Sequence, residues 1–156
     1  MNLDSILDAY EAAQKDAAAA RQAEAQAEQQ RLLANAAHIT RTLRNIVDPV
    51  LTTAAQQLRA REFHAAITYT RKKLLHGTPA EIDAELTLSF TTQDKDPSGA
   101  SGSISYAGSE QTATLSIHRI VNRTNGPKDG PIPYHDLTSE MVDTQLQQLL
   151  SSIFKA

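Results

Sequence analysis

Apolar positions along this chain fall into three regimes. Leu3, Ile6, Leu7 and Tyr10 recur at i, i+3, i+4 and i+7, the spacing of one apolar face over two helical turns. From Lys15 to Arg31 the sequence reads KDAAAARQAEAQAEQQR, with no apolar side chain larger than alanine. A second stripe opens at Leu32 and runs through Ala36, Ile39, Leu43, Val47 and Val50. Neither Gly nor Pro interrupts residues 2–48, where Ala, Gln, Glu, Arg and Leu dominate. Propensity therefore predicts one long helix, capped by Asn2 or Asp4. At 1.5 Å per residue it would extend roughly 65 Å, which predicts a projecting rod or one strand of a coiled coil. Ala13, Ala17, Ala20 and Ala27 carry a heptad-like seam between the two stripes, broken by Glu24.

Asp48-Pro49 is the first punctuation, read as an Asp cap with proline at the first helical position or as a kink within a continuing helix. Phe63 to Thr70 alternates as a strand would at Phe63, Ala65, Ile67 and Tyr69, yet Phe63, Ile67, Thr70 and Leu74 also keep helical spacing. Lys, His and Gly ahead of Pro79 resemble a helix C-terminus, and that signal extends the expected helix over 49–76. Beyond Pro79 the period changes to two, with Ile82, Ala84, Leu86, Leu88 and Phe90 inward and Glu81, Asp83 and Glu85 outward. Strands are expected over 82–92, 103–107 and 112–121, forming an antiparallel meander. Residues 122–136 hold three prolines and two glycines and read as a long loop. A last helix over 138–154 places Val142, Leu146, Leu149, Leu150 and Ile153 on one stripe. The expected fold is α+β: a long, coiled-coil-like N-terminal helix over 1–48, then a small domain over 49–156 whose meander packs against one or two helices.

Composition narrows the chemistry. The chain has 156 residues, 40% apolar and 4% aromatic, with no tryptophan, which predicts a thin aliphatic core. Lack of cysteine excludes disulfides, thiolate zinc sites and a thiol nucleophile. Neither a leader pattern nor a membrane-length apolar run occurs, so no membrane partner is expected and the location reads as cytoplasmic, the host cytoplasm if a virus encodes it. The net charge of -3 conceals segregation. Residues 1–31 carry three basic and six acidic groups, residues 32–76 seven and two, and residues 77–156 five and ten.

No constellation points to catalysis. Asp94 to Gly99 imitates half of a calcium loop, but Ser105 stands where a bidentate Glu belongs. Glu81, Asp83 and Glu85 read as the wet side of an edge strand. Five histidines share no metal-ligand spacing. His118 and His135, with Arg119, Arg123, Lys128 and Tyr134, flank the expected loop as the most site-like group. The GASGS stretch has no strand-turn-helix setting for a nucleophile, and no phosphate-binding glycine motif occurs. No metal or other cofactor is expected, and the chain reads as a non-enzymatic protein-binding module, an adaptor or inhibitor. Leu3, Ile6, Leu7 and Tyr10 are the expected docking residues; Leu32, Ala36, Ile39, Leu43, Val47 and Val50 are the expected oligomerisation seam, with a homodimer favoured. The alternatives are a nucleic-acid binder using Arg41, Arg44, Arg59, Arg61, Arg71, Lys72 and Lys73, or a structural subunit of a larger, virus-type assembly.

Overall fold

A computed structural model describes residues 2–73, 81–92 and 99–154. The fold is α+β, with a long N-terminal helix, a five-stranded antiparallel meander and a C-terminal helix. Two compact units make up the chain, Met1–Ala34 and Asn35–Ala156. Helix α1 covers Leu3–Thr42 and so contributes to both.

The first unit is helix alone. Ser5 N–H donates to Asn2 Oδ1 at 3.4 Å, and Arg31 pairs with Glu28 one turn back at 2.6 Å. Leu32 is half-buried, and every other described residue of this unit is exposed. Such a helix stands on propensity and i, i+3 pairing, without a core of its own.

The second unit begins where burial begins. Ala36 and Ile39 at the end of α1, then Leu43 and Val47, are at most 1% exposed. Of the expected seam, Ala36, Ile39, Leu43 and Val47 are buried within this chain, Val50 is half-buried against the same core, and Leu32 is half-buried in the first unit. This also explains why the units divide after Ala34 and not after Asp48. The apolar side chains Ile39, Leu43, Val47 and Leu51 follow one another in steps of four. Each such step overshoots a 3.6-residue turn by about 40°, so the stripe would wind off the sheet. A π-helical turn over Leu43–Val47 absorbs the drift, with the Asp48 N–H reaching Leu43 O. The wide turn also spares the carbonyl that the Pro49 ring would strike in a regular helix. Helix α2 follows over Asp48–Ala60, with neither an Asp side-chain cap nor a break in helical structure at Pro49.

Helix α2 ends at Ala60 because Glu62 takes a left-handed φ of 69°, and the Arg61 and Glu62 N–H groups close the last turn. The helix expected through residue 76 is thus overturned: Phe63–Lys73 is strand β1, as its alternating aromatic and β-branched residues allow. Strands β2 (Glu81–Thr92), β3 (Ser101–Ser109), β4 (Thr114–Val121) and β5 (Thr124–Pro133) complete the sheet in chain order. The expected loop over 122–136 is a second correction. Asn122 and Arg123 both take positive φ, which makes a two-residue primed hairpin turn. The prolines of β5 sit on an edge strand, where missing ladder donors are tolerated.

Helix α3 (Ser139–Ile153) is capped by the Thr138 hydroxyl, which accepts from Met141 N–H. It covers the same sheet face as α2. Leu86, Leu88, Phe90, Ile104, Tyr106, Leu115 and Ile117 point into this layer beside Val142, Leu146 and Leu149. Gly108 permits a close approach, since a Cβ there would stand 2.3 Å from Ile39 Cγ2. The opposite face is hydroxyl-rich: Thr68, Thr87, Ser105, His118 and Lys128 pair across the five strands in one row.

Candidate functional site

Helices α2 and α3 do not close against each other along their outer sides. Two adjoining clefts of about 510 and 330 Å³ run between them and share Ala54, Gln57 and Leu150. Helical spacing places Val50, Ala54 and Leu58 on the α2 side, and Leu146, Leu150 and Phe154 on the α3 side. At one end Phe63, Phe90 and Phe154 form an aromatic cluster with ring centroids 5.4 to 6.3 Å apart, Phe63 lying edge-on to both others. Phe154 remains 42% exposed. The polar rim is asymmetric: Gln57 and Arg61 line the α2 wall, Glu140, Asp143 and Gln147 the α3 wall. An apolar floor between polar walls is the form of a helix-receiving groove.

The charged residues of the middle segment are built into the fold. Asp83, 4% exposed, accepts from Arg44 Nε at 2.7 Å and pairs with Arg71 at 3.4 Å. The expected outward ladder of Glu81, Asp83 and Glu85 fails for a local reason. Opposite Thr70 and Arg71, the register skips Ala84, and one extra residue turns Asp83 to the covered face. Arg44 also lies over the Tyr69 ring, 4.9 Å from its centroid. The Tyr69 hydroxyl donates to Asp48, whose other oxygen accepts from Thr52. Burial first, and then the Asp48 carboxylate, hold the phenol proton well above its ordinary range.

Lys72 donates to Glu110 Oε2 at 2.6 Å, and Asn35 to the Glu110 carbonyl. Burial pushes the Glu110 carboxyl up, but the Lys72 hydrogen bond, a backbone N–H and the Lys72 charge outweigh it and hold it below 4.5. A depressed folded value means that the pair stabilises fully above the unfolded pKa and fades as pH falls through the folded one. Glu110→Gln is expected to cost about 0.5–1 kcal/mol at pH 7, the ordinary scale for a pair with one half-exposed partner. Urea titrations should show that difference from the parent closing below pH ~4.

The group around the expected loop does not converge. Arg119, 3% exposed, faces α3 and pairs with Asp129 at 2.5 Å and with Gln148 at 3.3 Å. His118, its neighbour along the strand, faces the other side, as alternation requires. His38 and His135 instead make ring contacts with Tyr134. Among the described residues no group of three His, Cys, Asp or Glu side chains could hold a metal ion. The calcium-like loop lies outside the described residues, apart from Gly99.

Of the expected nucleic-acid residues, Arg44, Arg71 and Lys72 are paired with carboxylates, and Arg59 donates to the Ala65 carbonyl. Arg41 and Arg61 are exposed; the Lys73 side chain lies outside the description. The expected docking residues stand open in the first unit, Leu3, Ile6, Leu7 and Tyr10 being 60, 55, 46 and 62% exposed. No described helix is long and apolar enough to cross a membrane. Comparison with known proteins gives no matching family model, curated protein or solved structure.

Proposed function

We propose that this chain is a non-enzymatic protein-binding module, an adaptor or inhibitor, whose docking element is the opening two turns of α1. The reading is carried by the exposure of Leu3, Ile6, Leu7 and Tyr10 on one helical face. Apolar patches of this kind are characteristic of helix-in-groove recognition, with anchors at i, i+3, i+4 and i+7. Neutralisation of Arg44, Arg71 and Lys72 by carboxylates within the fold weighs against the phosphate-binding alternative.

The test is a full-length chain carrying Ile6→Asp and Leu7→Asp. Its melting temperature should stay within about 3 °C of the parent, because an exposed change costs at most ~0.5 kcal/mol. Protein retained on the immobilised parent chain should be lost from the variant. Equal retention by both chains, or a large fall in melting temperature that persists at the lowest protein concentration, would overturn the reading.

A further inference from the structure

We propose that the partner of this docking element is a second copy of the chain, and that the opening helix of each copy lies in the α2–α3 groove of the other. This rests on the docking role given above for Leu3, Ile6, Leu7 and Tyr10, and adds the identity of what they dock into.

The two surfaces match in form. At 100° per residue, Leu3, Ile6, Leu7 and Tyr10 fall within an arc of about 100°, which suits a strip of apolar floor flanked by two walls. The groove floor offers the complementary strip: Val50 and Leu150 are half-buried and Phe154 is exposed at its end. A third helix seated there would cover the apolar atoms that α2 and α3 leave between them.

They also match in charge, wall by wall. Asp4, Asp8 and Glu11 form a stripe of their own along one flank of the apolar arc, and Ala9 and Ala13 lie along the other. The α2 wall presents Gln57 and Arg61, and the α3 wall presents Glu140 and Asp143. Seating the acidic flank on α2 brings carboxylates to Arg61, while the small, neutral flank meets the acidic wall without like-charge contact. The reverse placement sets carboxylate against carboxylate, so charge fixes the direction in which the helix enters.

Area favours reciprocity. Two helical turns in one groove bury less than the about 1,600 Å² of a standard stable interface. Exchange in both directions doubles the contact and closes the assembly as a symmetric pair.

Sedimentation velocity of the full-length chain across a concentration series tests this, using the parent, the tip variant Ile6→Asp/Leu7→Asp and the groove variant Arg61→Glu/Phe154→Asp. The parent should form a dimer, and each variant should dissociate at least about 30-fold more readily, as loss of a central anchor implies. Arg61→Glu alone keeps the aromatic cluster intact and should weaken the pair in the same direction. An equimolar mixture of tip and groove variants should associate more tightly than either variant alone and less tightly than the parent, because one of the two reciprocal contacts is then intact. A parent chain that stays monomeric, a groove variant that dimerises like the parent, or a mixture that associates no better than either variant alone would overturn the proposal. Retention of other proteins by the immobilised parent, lost with the tip variant, would then uphold the broader docking role without the self-pairing.

Discussion

Leu43→Ala lowers the unfolding free energy of the second unit by about 2–5 kcal/mol, the range for a buried leucine truncated in a packed core. Leu43 is 0% exposed and sits in the π turn, among Ile39, Val47 and Leu51. Removing its terminal isopropyl group leaves a void that the wide turn cannot fill without losing the phase that keeps those neighbours over the sheet. Denaturant titrations should give the same loss at every protein concentration. A midpoint that rises steeply with concentration in the parent but not in the variant would instead assign Leu43 to a seam between chains.

Arg44→Ala comes next in size, read as a fall in the denaturant midpoint larger than an ordinary surface change gives. Breaking a buried ion pair from one side is strongly destabilising when the remaining charge is left uncompensated. Here the remaining charge is Asp83, 4% exposed, and Arg71 at 3.4 Å still compensates part of it. The Arg44 side chain is itself about half exposed, which places the cost below that of a fully buried pair. Arg44→Lys should recover only part of the loss, because a single ammonium replaces two guanidinium nitrogens on one carboxylate oxygen. Combining Arg44→Ala with Asp83→Asn should cost less than the two single changes together. Strict additivity would show that the pair carries no coupling.

Periodicity made much of this architecture legible. The opening helix, the alternation of Leu86, Leu88 and Phe90, and the stripe of α3 all lie where spacing placed them. The misreadings have local causes. Spacing identifies an apolar face but not what covers it, so Ala36 to Val47 read equally well as a seam between chains or as core. Helix α2 stops on a left-handed Glu62 instead of the Gly or Asn usual there, which removed the signal separating helix from β1. Prolines made β5 look like a loop, although an edge strand has half its donors unused. Asn122 was the available hint, since Asn favours the positive φ of a hairpin turn. A one-residue register slip at Ala84 has no marker in composition, and so the inward turn of Asp83 was hidden. Of the candidate site, the exposed face at Leu3 to Tyr10 could be read in advance; the groove could not, because it depends on how far apart two distant helices settle.

The prolines of β5 bear on how this protein withstands crowding by its own kind. Pro127, Pro131 and Pro133 remove three amide donors from that strand, so a foreign chain meets an interrupted ladder along it. Among the described strands the other rim is β1, and its pairing with β2 breaks register between Thr70 and Arg71, an irregularity that twists an edge away from a flat partner. Sheet-to-sheet fibril growth is thus hindered on one border by missing hydrogens and on the other by an uneven edge.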